Sequence, residues 1–135
     1  MKNFDELFNL FNVKIEDKIE NAIEQTKMQL NNLTINRTCM IYSSYLYNNL
    51  KQQLVNCKIM DTAEDLKINY RHRFVTVYEN GKTYLIDLTF SQFGNEDLLL
   101  NNLIEKGYEL MDEKKWQYYI GKILMCTEKK EKKMR

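Results

Sequence analysis

The stretch HRFVTVYENGKTYLIDLTF, residues 72–90, decides the fold that the sequence predicts. β-Branched and aromatic residues stand on both sides of Asn80-Gly81, and such runs are typical of strands. Asn and Gly tolerate the positive φ that both central residues of a type I′ turn require. The segment is therefore predicted to form an antiparallel hairpin that turns at Asn80-Gly81.

The register of this hairpin brings two ionisable side chains together. A two-residue turn pairs Glu79 with Lys82, and the same register further along pairs His72 with Thr89. Asp87 then lies diagonally across from His72 on the same face, with Cβ atoms roughly 7 Å apart. A carboxylate at that position fixes the tautomer of an imidazole and stabilises its protonated form. We therefore expect a hydrogen-bonded His72–Asp87 pair.

Helices are predicted on both sides of the hairpin. Apolar residues recur at i, i+3, i+4 and i+7 in these segments, as they do in amphipathic helices. The predicted helices cover residues 4–11, 15–30, 38–54 and 95–107, and a last one follows Asp112. CKIMDT, residues 57–62, is a further strand candidate. The other face of the hairpin carries Val75, Val77, Tyr84, Ile86 and Leu88 and is expected to pack into the core. The fold class is α+β, with residues 1–135 as a single domain and a basic tail from about residue 128.

Cys39 is the candidate nucleophile that would complete a catalytic triad. It stands in the first turn of a predicted helix, where the helix dipole and a nearby imidazolium lower a thiol pKa from about 8.5. The backbone N–H groups at that helix end are suited to an oxyanion hole, so Asn36 and Thr38 are candidate oxyanion or binding residues. Cys57 and Cys126 have no base beside them in this scheme and are interpreted as structural.

Each residue also has a simpler interpretation. A lone Cys in an amphipathic helix is most often core packing, and a lone His on a strand is most often structural. The conjunction of the three residues is what favours a site. If a bulge shifts the register, Asp87 moves to the other face, and Asp61 or Asp65 becomes the alternative carboxylate.

Composition narrows the function classes. With 20 Lys+Arg against 19 Asp+Glu, the net charge of +1 gives no support for nucleic-acid binding. No apolar run approaches the roughly 20 residues of a membrane span, and no signal peptide is visible. The chain has 3 cysteines that stand far apart, which favours a reducing, cytoplasmic setting over a disulfide framework or a zinc site. No metal or cofactor is expected.

TCMIYSSYLYNNL, residues 38–50, together with the hairpin resembles the papain-like and transglutaminase-like superfamily of cysteine enzymes. The resemblance covers residues 36–93 and extends to arylamine N-acetyltransferases and to bacterial toxin or effector domains that deamidate glutamine or cleave proteins. It implies a helix headed by the nucleophile, packed on an antiparallel sheet that carries His and Asp. On that basis Cys39 is the nucleophile, His72 the general acid and base, and Asp87 the orienting carboxylate.

The sequence also departs from these families. Papain-like peptidases place a Gln shortly before the Cys, whereas here Gln29 lies far upstream and Asn32 or Asn36 are the nearest stand-ins. The Arg-Gly-Gly stretch of the acetyltransferases is replaced by residues 35–38, and their additional domains are missing. The missing Gln favours deamidation or acyl transfer over proteolysis.

The leading hypothesis is a cysteine-dependent amide hydrolase, a protease or protein-glutamine deamidase, that acts on a protein or peptide through a thioester. One alternative is a catalytically inactive binding module of the same fold, such as an inhibitor or adaptor. Another is an acyltransferase or transglutaminase-type enzyme, and a third is an α+β domain in which the triad is coincidental. The sequence specifies neither the substrate nor the oligomeric state.

Overall fold

The computed structural model describes residues 13–31, 33, 38–93 and 99–134, with side chains up to residue 125. The predicted helix at residues 4–11 lies outside these ranges. The helices are α1 (Ile15–Gln29), α2 (Cys39–Gln52), α3 (Thr62–Asp65), α4 (Asn101–Lys106) and α5 (Glu113–Met134), with a 3₁₀ turn at Phe90–Phe93. The strands are β1 (Cys57–Asp61), β2 (Arg73–Glu79), β3 (Lys82–Ile86) and β4 (Tyr108–Leu110). They form one antiparallel sheet in the order β1-β2-β3-β4, which confirms the α+β class.

The central hairpin has the predicted turn and register. Asn80 and Gly81 have φ values of 51° and 77°, as a type I′ turn requires. Glu79 pairs with Lys82, and the ladder continues to Val75 and Ile86. No bulge intervenes in this ladder, so residues on both strands keep their predicted faces.

The ladder is shorter than predicted, and the expected pairing of His72 with Thr89 lies beyond its end. His72 instead pairs with Thr62, at the start of α3. The Thr62 N–H donates to the His72 carbonyl at 3.0 Å, and the His72 N–H donates to Thr62 Oγ1 at 2.8 Å. These two bonds hold the backbone of His72 at the point where β2 begins.

The region after the hairpin differs most from the prediction. Within the described residues, the helix expected at 95–107 is limited to α4, because Leu99 and Leu100 form a turn before it. Gly107 ends α4 as predicted, with φ 89° and its N–H donating to the Leu103 carbonyl at 3.0 Å. Strand β4 was not predicted, since its three residues are too few to show a hydrophobic period.

Apolar clusters cover both faces of the sheet. The face predicted to be apolar packs against α1 and α2, through the buried residues Ile19, Ala22, Ile23, Leu46, Leu50, Val55, Cys57, Val75, Val77, Tyr84, Ile86 and Tyr108. We call this the α1/α2 core. The opposite face packs against the 3₁₀ turn, α4 and α5 through Phe74, Leu85, Phe90, Phe93, Leu100, Leu103, Met111, Tyr119 and Ile123. We call this the α5 core, and it buries the face that carries His72 and Asp87.

Helix α5 begins where predicted. Asp112 Oδ1 accepts the Lys115 N–H at 2.8 Å and so caps the first turn. The helical backbone runs to Met134, so the basic segment from residue 128 continues α5. None of the helices in the described ranges has both the length and the apolar character needed to cross a bilayer.

Candidate active site

Cys39 is the first residue of α2. Thr38 precedes it at the N-cap and accepts the Tyr42 N–H at 3.0 Å. The first N–H groups of a helix have no partner within the helix, and they carry its positive dipole end. Cys39 is only half-buried, and it lies at a place that favours negative charge.

His72 lies at the other extreme of burial, with 1% of its surface exposed. Its Nε2 is 2.7 Å from Asp87 Oδ2. The imidazole and the Phe93 ring pack in a T-shaped arrangement, with ring centroids 4.9 Å apart. The carboxylate and the aromatic ring together fix the orientation of the imidazole and leave Nδ1 as its other hydrogen-bonding atom.

Asp87 directly follows β3, is 4% exposed and has hydrogen-bond donors on both oxygens. Oδ1 accepts the Thr89 N–H at 3.0 Å and the Thr89 hydroxyl at 3.1 Å. Oδ2 accepts the Tyr119 hydroxyl at 2.7 Å in addition to the His72 ring. A buried carboxylate with this many donors remains ionised. Burial raises the pKa of Asp87, but the protonated His72 and these hydrogen bonds outweigh it and hold the pKa below its usual value.

Cys39 interacts with the imidazole of His72, and each side chain shifts the pKa of the other. Burial raises the pKa of Cys39, but the imidazole of His72 and its charge, together with the N–H of Arg73, bring that pKa below its ordinary value. Burial lowers the pKa of His72, yet the charge and hydrogen bond of Asp87, with a smaller contribution from Cys39, raise it to about 9. A lowered thiol pKa beside a raised imidazole pKa favours the thiolate–imidazolium form of the pair over the neutral form.

The alternative carboxylates belong to a different cluster. Asp61 Oδ2 contacts Arg73 Nε at 3.0 Å and Arg71 Nε at 3.2 Å, while Oδ1 accepts two N–H groups at the start of α3. Asp65 accepts the Asp61 N–H at 2.8 Å. Asp87 is therefore the carboxylate that pairs with His72.

The remaining predicted residues lie apart from this centre or outside the residues that the structure describes. Cys57 is buried at the start of β1, and burial raises its pKa. Asn36 and the side chain of Cys126 lie outside the described residues. Thr38 is placed beside Cys39 at the N-cap of α2, while its role in an oxyanion hole stays a prediction.

No family model, curated protein or solved structure matches the chain.

The structure adds three residues that the sequence did not indicate. The sequence places Thr89 only in the hairpin ladder and Arg73 only in a strand, and it places Tyr119 only on the apolar stripe of the last helix, which consists of Trp116, Tyr119, Ile120, Ile123 and Leu124. The donors of Tyr119 and Arg73 reach the site through tertiary contacts, which no spacing in the sequence signals, whereas Thr89 bonds Asp87 locally, across two residues. What the sequence offered was one hint, a hydroxyl on an otherwise apolar stripe, because buried Tyr hydroxyls usually find a partner.

Proposed function

We propose that this protein is a cysteine-dependent amide hydrolase in which Cys39, His72 and Asp87 form a catalytic triad. One observation carries the proposal. A partly exposed Cys at a helix N-terminus interacts with a buried imidazole, and Nε2 of that imidazole is bound to a buried carboxylate. This chain of contacts has the order that an activated thiol nucleophile requires.

We also infer a papain-like or transglutaminase-like core. Helix α2 begins at Cys39 and contacts β1 and β2. His72 stands at the start of β2 and Asp87 at the end of the adjacent β3. A nucleophile at the head of a helix, with His and Asp on neighbouring antiparallel strands, supports this assignment.

In the first half of the reaction, the Cys39 thiolate attacks the carbonyl carbon of an amide and a C–S bond forms. The C–N bond then breaks, and the His72 imidazolium donates its proton to the leaving nitrogen. Asp87 stays ionised and stabilises the imidazolium throughout. The products of this half-reaction are an amine, or ammonia in the case of a side-chain amide, and a thioester on Cys39.

In the second half, neutral His72 accepts a proton from water as the water attacks the thioester. The C–S bond breaks, a carboxylic acid leaves, and the thiolate–imidazolium pair is restored. We propose a protein or peptide as the substrate. The leaving group distinguishes proteolysis from deamidation, and a reducing compartment such as the cytoplasm keeps the thiol competent.

The first test uses iodoacetamide at pH 6, followed by peptide mass spectrometry. Cys39 is expected to be alkylated faster than buried Cys57 by roughly 10-fold or more, because ordinary thiols are almost wholly protonated at this pH. Asp87→Asn keeps the size of the side chain but removes its charge, so the pKa of His72 should fall and the rate at Cys39 should drop. If Cys39 reacts no faster than Cys57, no thiolate–imidazolium pair exists and the proposal fails.

A second test follows turnover with p-nitrophenyl acetate as an acyl donor. The wild type is expected to acquire an acetyl group on Cys39, to lose it to water, and to release nitrophenol repeatedly. Cys39→Ser should abolish the release of nitrophenol, and Asp87→Asn should slow this release by on the order of 100-fold or more. A reactive Cys39 that is never acylated or never released would instead indicate an inactive binding module of the same fold.

A further inference from the structure

Tyr119 projects from α5 into the α5 core, and its hydroxyl ends at Asp87. The residue is fully buried, at 0% exposure, and its ring packs edge-on against Phe74 with centroids 5.2 Å apart. The hydroxyl donates to Asp87 Oδ2 at 2.7 Å. Burial and the charge of Asp87 raise the pKa of Tyr119 well above its ordinary value, so the hydroxyl keeps its proton and acts as a permanent donor.

The donors on Asp87 are divided unequally between its oxygens. The N–H and the hydroxyl of Thr89 both bond Oδ1, at 3.0 and 3.1 Å. A carboxylate that is held at one oxygen can still swing its other oxygen. Among the described residues, Oδ2 has two partners, the His72 ring and the Tyr119 hydroxyl.

We propose that Tyr119 is a positioning residue for the triad, which fixes Asp87 Oδ2 in line with Nε2–H of His72. This inference rests on the proposed function and extends it, because it names a fourth side chain on which the activation of Cys39 depends. Tyr119 acts through Asp87 and His72 and has no direct contact with the reacting atoms in this scheme. Without its hydroxyl, Oδ2 turns away, the imidazolium loses part of its stabilisation, and the thiolate becomes less populated.

The test is Tyr119→Phe, which removes only the hydroxyl and keeps the ring in the core. His72 is the only histidine in the chain, so one set of imidazole signals in ¹⁵N NMR reports its pKa without assignment. We expect that pKa to fall below the wild-type value. We also expect the midpoint of the pH profile of Cys39 alkylation to rise by on the order of half a unit, with about a threefold lower rate at pH 6.

The matched control is Tyr108→Phe. The Tyr108 hydroxyl also donates to a carboxylate at 2.7 Å, that of Glu20, but in the α1/α2 core. This variant should leave the His72 pKa and the pH profile of Cys39 alkylation unchanged, even if the substitution lowers the stability of the protein. A change shared by both variants would mean that Tyr119 is merely structural.

Two further outcomes also overturn the positioning role. One is a Tyr119→Phe variant with wild-type values for His72 and Cys39. The other is an increase in the His72 pKa, which would mean that Tyr119 only withdraws charge from Oδ2. Both outcomes differ from failure of the proposed function, which would appear as an unreactive Cys39 in the wild type.

Discussion

At the scale of single residues, the site combines one accessible group with two buried ones. Cys39 is half-buried, whereas the side chains of His72 and Asp87 are each 1% exposed. A charge pair inside a protein is screened little by salt or water, so the imidazolium is held strongly. Of the three residues, the one that must meet a substrate is the one left partly in contact with solvent.

The protonation states of Cys39 and His72 act oppositely on stability. His72 has its pKa raised from 6.5 to about 9, so its stabilisation is complete below pH 6.5 and is lost as the pH rises through about 9. Cys39 has its pKa lowered from 9.0, so its stabilisation is present above pH 9 and is lost as the pH falls through the folded value. At pH values between the folded pKa of Cys39 and the pKa of His72, the folded protein holds an extra proton on His72 and lacks one on Cys39, relative to the unfolded chain. The two groups therefore change the free energy of unfolding in opposite directions as the pH rises.

Cys39→Ser should therefore expose the slope of His72. Asp87 contributes more than Cys39 to the raised pKa of His72, so most of that increase survives the substitution. We expect the free energy of unfolding of the variant to fall by about 2 kcal/mol between pH 6.5 and 9, while that of the wild type changes less. Urea unfolding followed by Trp116 fluorescence measures both, and parallel curves would contradict the ion pair.

At the scale of elements, the turn between α4 and β4 supports the carboxylate. Gly107 ends α4 in the left-handed region, at φ 89°, and its carbonyl accepts the Asp87 N–H at 3.1 Å. A Cβ at this position would come within 2.7 Å of Leu88 Cδ2. A larger residue would therefore strain the turn through the positive φ and would displace the Leu88 side chain. The turn also ties the end of β3 to β4.

Gly107→Ala is expected to destabilise the protein by about 1–2 kcal/mol, from the positive φ and the contact with Leu88. Because the Asp87 backbone is bound to the same turn, alkylation of Cys39 at pH 6 should also slow. Thermal unfolding and the iodoacetamide assay measure the two effects.

Gly81→Ala is the control for this prediction. Gly81 also has a positive φ of 77°, but an added Cβ meets nothing within 4 Å. The Gly81→Ala variant should lose about 1 kcal/mol of stability and keep the wild-type reactivity of Cys39. A slower Cys39 in both variants would mean that alkylation tracks global stability alone.

At the scale of the whole molecule, the sheet separates two cores with different relations to the site. The α1/α2 core seats the helix that carries Cys39, and the α5 core encloses the His72–Asp87 pair. Ile19 and Ile123 are each 0% exposed, one in each core. The same truncation can therefore be made on either side of the sheet.

Ile19→Ala and Ile123→Ala should each lower the free energy of unfolding by roughly 2–5 kcal/mol. Only Ile123 lies one helical turn from Tyr119 on α5, so its truncation should also loosen the hydroxyl and slow alkylation of Cys39. Measuring both variants well below their unfolding temperatures separates the effects. Equal rates at Cys39 in the two variants would show that the cores do not differ in their coupling to the site.

The sequence by itself determined the hairpin, its register and the pairing of His72 with Asp87, because turn chemistry and strand alternation are local properties. It also indicated Cys39 at the head of a helix. Strand β4, too short to show a period, and the shortened α4 became visible only in the folded chain.

Tertiary structure alone decided what surrounds the pair. The Tyr119 hydroxyl reaches Asp87, and the N–H of Arg73 reaches Cys39, from segments that are distant in sequence and whose spacing does not signal the contact. The burial of His72 and Asp87, which contributes to their pKa shifts, likewise depends on α5 packing over their face of the sheet. The sequence did not indicate which element covers that face. Hydrogen bonds between distant segments arise when elements pack, so they follow from the fold as a whole and not from any local pattern.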